Sequence, residues 1–198
     1  MSNPLETPPR DPFTLYREWA EEAADTEPND PNAAALATAT PEGVPSVRMV
    51  LVKHADADGF WFFTNAESEK GMQIESNPHA ALCFHWKTQR RQVRVSGSIE
   101  KLSDQQTDDY FHSRSRRSQI GAAVSHQSRL LENRSILEEA VRQYTSEHPD
   151  EIPRPPYWQG FSIQPERIEF WADGPDRLHD RVVYMPDGSG WKTTRLWP

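Results

Sequence analysis

The chain of 198 residues holds a single cysteine, Cys83. That excludes an intrachain disulfide and any multi-cysteine metal site, and within "AALCFHW" Cys83 reads as a small buried apolar side chain. No run approaches the roughly 20 apolar residues of a membrane-spanning helix. The opening "MSNPLETPPRDPF" lacks the basic-then-apolar pattern of a secretion signal, so the cytoplasm is the expected compartment. Positive charge is scarce too: 22 Lys and Arg stand against 30 Asp and Glu, a formal net charge of -8. Binding to nucleic acid through overall charge is not expected of such a chain. The seven histidines show neither HExxH nor HxxxH spacing, and no GxSxG elbow, Walker loop or GxGxxG is present. No internal repeat is found.

Aromatic residues are plentiful, with seven Trp and eight Phe, so the chain is globular rather than disordered. Its length suits one sizeable domain. Residues 1–11 read as a flexible arm and 12–198 as a single domain. "DPFTLYREWAEEAADT" has helical spacing, with Asp11 as N-cap and Pro12 at the first helical position. The period then changes to two. "AAALATAT", "SVRMVLVKH" and "GFWFFTN" read as strands joined by the turns "PEGVP" and "ADADG". "SEKGMQIESNP" fits a short helix starting at Ser68. "AALCFHW" and "RQVRVSGSIEKL" are two more strands, followed by three helices in "SDQQTDDYFHSR", "SRRSQIGAAVS" and "ENRSILEEAVRQYTSEH". "DEIPRPPYWQG" reads as an extended loop. The end returns to strands: "FSIQ", "RIEFWAD", "RLHDRVVYM" and "GWKTTRLW". The expected class is mainly β with α, an antiparallel barrel with helices packed outside.

Several polar positions carry chemistry. Arg48 lies in an apolar run that ends in Lys53; it is either buried with an anionic or hydrogen-bonding partner or exposed on an edge strand. In "TNAESEKG", Thr64, Ser68 and the helix start offer hydroxyls and free amides to a phosphate, with Lys70 adding charge. Gln92 and Arg94 share one strand face, and the Gln92 amide can both donate to and accept from a heteroaromatic edge. Tyr110 and Arg114, four apart on a helix, suit a phosphate monoester. In "GPDRLHDRVVY", read as a strand after a Gly-Pro turn, Arg177, His179 and Arg181 fall on one face.

Together "RMVLVKH", "FFTN", "SEKGMQIESNP", "RQVRVSG", "YFHSRSRRSQIGAAVSHQS", "IEFWADGPDRLHDR" and "WKTTRLWP" resemble the pyridoxamine 5′-phosphate oxidases, FMN enzymes with a split β-barrel. The most specific elements are "SQIGAxxSxQS" and "RLHDR", in this order and spacing. The resemblance implies that Arg48, Thr64, Lys70, Gln127 and Ser128 hold FMN by its phosphate and ribityl end. Met49, Val50, Leu51, Val52, Lys53 and Phe63 lie along the same cofactor site. Gln92, Trp171 and Arg181 are then near the flavin ring. Lys53, Tyr110, Arg114 and Ser118 bind the substrate phosphate, and Arg177 and His179, the catalytic pair, lie over the pyridine ring. The implied reaction oxidises pyridoxine 5′-phosphate and pyridoxamine 5′-phosphate to pyridoxal 5′-phosphate, with O2 as acceptor giving H2O2. The implied assembly is a homodimer whose FMN sites lie at the interface. No metal, nucleic acid or membrane partner is expected.

Three positions depart from the family pattern. Glu69 stands where a basic residue is usual, and unless it turns to solvent it opposes a bound phosphate. Ser115 replaces a usual proline after Arg114, which is expected to loosen the next helix start. The arm before the first helix is short. Two alternatives to the oxidase follow: a related flavin oxidase of a phenazine-type aromatic, or a non-catalytic flavin or pyridoxal-phosphate binder.

Overall fold

The computed structural model describes residues 5–198. Helix α1 (Pro12–Thr26) starts where its signals place it: the Asp11 carboxylate accepts from the Phe13 and Thr14 amides, satisfying donors that have no partner within the helix. Strands β1 (Ala33–Ala39) and β2 (Pro45–Leu51) form a hairpin. The run expected as one strand, "SVRMVLVKH", is interrupted at Val52 and Lys53. It resumes as β3 (His54–Asp56), which pairs with β4 (Gly59–Asn65) instead of β1. Helix α2 (Glu69–Ser76), strands β5 (His79–Trp86) and β6 (Arg91–Lys101), and helices α3 (Asp104–Ser113), α4 (Arg116–Val124) and α5 (Arg134–Glu147) follow.

The final third contains β7 (Trp158–Ala172), a 3-10 turn (Pro175–Arg177), β8 (Asp180–Asp187) and β9 (Gly190–Arg195). "FSIQ" and "RIEFWAD", read as two strands, are one. The Pro165 that seemed to divide them sits where the β6–β7 register shifts between Ser96 and Gly97. A bulge tolerates a residue with no amide donor.

The sheet runs β2-β1-β5-β6-β7-β4-β3, all antiparallel, with β8 paired to the far half of β7 and β9 to β8. Its two ends, β2 and β3, are consecutive in the chain. The half-barrel is therefore closed by the chain itself at Val52–Lys53, not by a continuous ladder. Inward residues of six strands, among them Leu36, Phe62, Phe84, Val95, Phe170 and Tyr184, form one core, and α1 adds Phe13, Leu15, Tyr16 and Trp19 to it. Helices α3 and α4 enclose a second cluster around Phe111, Ile120, Ile152 and Trp158, against which Val141 and Tyr144 of α5 pack. From Leu5 onward the N-terminal arm is held: Leu5 is buried, the Tyr184 hydroxyl donates to the Pro9 carbonyl at 2.8 Å, and Arg195 donates to the Glu6 carbonyl at 2.9 Å. Residues 1–4 of the expected arm lie outside the described residues. No helix among the described residues is long and apolar enough to cross a membrane.

Gly97 at the bulge is a tight point, because a Cβ there would lie 1.9 Å from the Gln164 carbonyl oxygen. Gly97→Ala is expected to cost about 3 kcal/mol through overpacking against backbone. Asp11→Ala, which loses only a helix cap, is expected to cost about 1 kcal/mol. Urea unfolding of the two variants checks the ranking.

Candidate active site

Two cations are gathered where β4 meets α2. The Ser68 hydroxyl caps α2, and two residues on Lys70 is buried. Its Nζ donates to Gln127 Oε1 at 2.7 Å and to Thr64 Oγ1 and Ser68 Oγ at 3.2 Å each. Arg48 projects from β2 and donates to the Ser46 carbonyl at 3.3 Å and to the Thr38 hydroxyl. Burial holds the Lys70 amine below the ordinary lysine range, the Arg48 charge pushes it further down, and Glu69 partly opposes both. Hydroxyls and amide oxygens supply the close hydrogen bonds of these cations and the exposed Glu69 offsets their charge only in part, an arrangement suited to a dianion.

The Glu69 side chain is 58% exposed, yet it is held against β2. Its carboxylate accepts from the Ser46 hydroxyl at 2.9 Å and lies 4.0 Å from Arg48 Nη2. It is a tethered anion beside the place where a phosphate would sit. Ser128, on a left-handed φ of 68°, accepts from the Glu69 amide at 3.2 Å.

Next to this pair is a cavity of about 420 Å³ lined by Met49, Val50, Leu51, Lys53, Phe63, Thr64, Lys70, Tyr110, Arg114, Ser115, Ser118, Gln127 and Trp158. Val52, in the break between β2 and β3, is buried in the core instead. The cavity contains an aromatic stack, with the Phe63 ring 4.1 Å from Tyr110 and 5.3 Å from Trp158. The Arg114 guanidinium lies over Trp158 at 5.0 Å. Arg114 Nη1 is buried and has no hydrogen-bond partner among the described residues. Burial lowers the Arg114 pKa, with Tyr110 opposing. A buried guanidinium nitrogen left unpaired is costly unless an anion completes it. Ser115 does not loosen α4: it is the N-cap, accepting from the Ser118 amide at 3.3 Å and lying 2.8 Å from the Ser118 hydroxyl.

A second group of the expected residues lies elsewhere. Gln92, Trp171 and Arg181 are cross-strand neighbours on β6, β7 and β8, one row on one face. The strand expected through "RLHDR" begins only at Asp180. Because β7 ends at Ala172, paired with Asp180, residues 173–179 must form the connection between the strands. Arg177 ends the 3-10 turn on a left-handed φ of 64° and lines a separate cavity with Gln89, Arg90, Asp173, Gly174, Pro175 and Asp176. Gly174 is required there, since a Cβ would meet the Leu178 carbonyl oxygen at 2.1 Å.

His179 packs on Trp171 with ring centroids 4.7 Å apart. Its Nδ1 lies 3.2 Å from the Gly174 amide and 3.2 Å from Asp173 Oδ1. The two contacts exclude one another: a bare Nδ1 accepts from Gly174, and a protonated one donates to Asp173. None of Gln92, Trp171, Arg177, His179 and Arg181 lines the 420 Å³ cavity.

Sequence reasoning misses Ser115 and Trp158 in the cavity, and Asp173 and Glu169 beside the row. Ser115 carried a usable signal, a serine at a helix start three residues before Ser118. Trp158 carried none, because its place depends on stacking between separate elements.

Comparison with known proteins finds relatives along most of the chain. A family model described as pyridoxamine 5′-phosphate oxidase matches residues 20–148. A second, described as the pyridoxine 5′-phosphate oxidase C-terminal dimerisation region, matches residues 158–198. The pyridoxine/pyridoxamine 5′-phosphate oxidase of Rhodospirillum rubrum is 58% identical over 96% of this chain and 97% of its own. The crystal structure of PhzG from Burkholderia lata 383 in complex with tetrahydrophenazine-1-carboxylic acid superposes with a TM-score of 0.93. It is 33% identical, covering 100% of this chain and 98% of that one. A pyridoxamine 5′-phosphate oxidase-related, FMN binding protein from Nostoc punctiforme shares the fold, with a TM-score of 0.78 at 18% identity over 100% of both chains. With its half-barrel, its paired cations and these matches along most of its length, the chain belongs to the pyridoxamine 5′-phosphate oxidase family.

Proposed function

We propose that this protein oxidises pyridoxine 5′-phosphate and pyridoxamine 5′-phosphate to pyridoxal 5′-phosphate. The alcohol plus O2 gives the aldehyde plus H2O2; the amine also takes up water and releases ammonia. The observation that carries this reading is the unpaired, buried Nη1 of Arg114 in a cavity that also holds Lys53, Tyr110, Ser115 and Ser118. Charge and hydroxyls in that arrangement fit a phosphate monoester. The name of the Rhodospirillum rubrum relative supports the same substrates.

The Arg48–Lys70 pair, with Thr64, Gln127 and Ser128, fits the phosphate and ribityl end of FMN. When bound, FMN supplies the hydride acceptor for the C4′ carbon and passes the electrons to O2. The rest of the chemistry asked of the chain is binding, orientation and proton handling. Lys53, Tyr110, Arg114 and Ser118 anchor the substrate phosphate. Arg177 and His179 lie over the pyridine ring, and His179 serves as proton acceptor: its bare Nδ1 accepts from the Gly174 amide, and once protonated it donates to Asp173 instead.

This reading requires a second copy of the chain. Trp158 lines the cavity and Trp171 stands in the Gln92–Trp171–Arg181 row, at opposite ends of β7. At about 3.3 Å per residue an extended strand of that length separates its ends by up to about 40 Å. A homodimer in which the row of one protomer faces the cavity of its partner completes the site. The match of residues 158–198 to a dimerisation region supports it. A second reading, oxidation of a phosphate-free tricyclic acid, draws on the fold likeness to PhzG, but a lone carboxylate has fewer charges and acceptor oxygens than a phosphate to offer Lys53, Tyr110, Arg114 and Ser118 together.

The deciding experiment supplies the protein with FMN, removes oxygen and adds pyridoxine 5′-phosphate. The oxidised-flavin band is expected to bleach and to return on admitting air. A band that stays unbleached with both the alcohol and the amine overturns the substrate assignment. Arg114→Gln is expected to raise KM for pyridoxine 5′-phosphate roughly hundredfold while kcat changes by less than about threefold, as for lost uniform binding of a charged group. Steady-state kinetics check the split. Glu69→Gln removes the tethered anion beside Arg48, and an exposed charge contact of about 1 kcal/mol corresponds to FMN binding roughly fivefold tighter. Quenching of FMN fluorescence on titration with protein measures it.

A further inference from the structure

The carboxylate of Glu169 is one of the most deeply buried charges in the molecule, 1% exposed, and no step above uses it. It lies on β7 two residues before Trp171, on the same face. Three guanidiniums converge on it. Arg181 Nε and Nη2 lie 2.8 and 2.7 Å from Oε1. Arg167 Nη2 lies 2.8 Å, and Arg94 Nη1 3.5 Å, from Oε2. Burial would raise the Glu169 pKa, but the hydrogen bonds and charges of Arg181 and Arg167 more than offset it and hold the carboxyl below its ordinary range.

Arg181 is the most constrained of the three. Its remaining nitrogen, Nη1, donates to the Trp197 carbonyl at 3.1 Å, and the Leu196 amide donates to the Arg181 carbonyl at 3.0 Å. All three guanidinium nitrogens are therefore engaged, and the plane of the group is fixed. A free arginine samples many rotamers and loses that entropy on meeting a ligand. One locked by a buried carboxylate has lost it on folding.

We propose that Glu169 is a positioning residue for the Gln92–Trp171–Arg181 row. It locks the Arg181 guanidinium beside Trp171 and offsets its charge, so that the row meets the flavin ring with a preset geometry and field. The proposal rests on the reading above that this row lies against the flavin ring. Releasing Arg181 from its carboxylate leaves its charge uncompensated, which favours the more electron-rich reduced flavin. The midpoint potential of bound FMN therefore rises.

The test measures that potential in the FMN-loaded protein for Glu169→Gln, Glu169→Asp, Arg181→Ala and the Glu169→Gln/Arg181→Ala double variant, with thermal melts alongside. Glu169→Asp keeps the charge but withdraws it by one methylene, so a positioning role responds to it and a purely electrostatic one does not. It also serves if the glutamine variant fails to fold. The expected result is a positive shift for Glu169→Gln, a smaller shift of the same sign for Glu169→Asp, and loss of more than half of the glutamine effect in the Arg181→Ala background. Two results overturn the proposal alone: an equal glutamine shift with and without Arg181, or no shift in either Glu169 variant while Arg181→Ala moves the potential. If Arg181→Ala also leaves the potential unchanged, the row is not at the flavin ring, and the site reading falls together with the proposal.

Discussion

One strand, β7, carries the molecule. Its fifteen residues, Trp158–Ala172, pair along one edge with β6 and along the other first with β4 and then with β8. The near half fixes β4, and so sets Phe63, Thr64 and the start of α2 beside Trp158. The far half fixes β8, and so sets Arg181 beside Trp171 and Glu169. Both halves depend on the register shift at Gly97 and Pro165, where the ladder absorbs a residue that has no amide to donate. A sheet that ended at that proline would lose the partner strand of one group of polar residues.

A chain of net charge -8 must spend its cations selectively, and it does so in three settings. Lys70 and Arg48 are surrounded by hydroxyls and carbonyls that satisfy hydrogen bonds without cancelling charge. Arg114 lies over an aromatic ring with one buried nitrogen unpaired. Arg181 is tied to a buried carboxylate. The first two remain open to an anion, while the third has its charge offset and contributes a fixed donor plane. Glu69 moderates the first setting, because its carboxylate sits near Arg48 and competes with any incoming phosphate.

Much of this was legible in the sequence. The Asp11 and Ser68 caps, the period-two strands and the order of the helices follow from signals that span a few residues. "SQIGAxxSxQS" and "RLHDR" pointed to the family. The stretch "GPDRLHDRVVY" departs from its local pattern. The alternation of Arg177, His179 and Arg181 suggested a strand, but the partner strand ends at Ala172 and the first two residues belong to a turn. The orientation of Glu69 and the place of Trp158 depend on groups distant in the chain, whereas the capping by Ser115 is a local signal.

The sequence alone determined where the helices begin, which faces are apolar and which family's residues are present, because each is encoded over a few neighbouring positions. Tertiary structure alone decided that Pro165 would be absorbed within a continuous β7 and that the barrel would close at Val52–Lys53. It also decided that Glu169 would gather Arg94, Arg167 and Arg181, and that the two groups of polar residues would lie at opposite ends of one strand. These outcomes depend on which strand edges meet and on what each buried charge finds opposite it. Such pairings join residues far apart in the chain, and no local pattern specifies them.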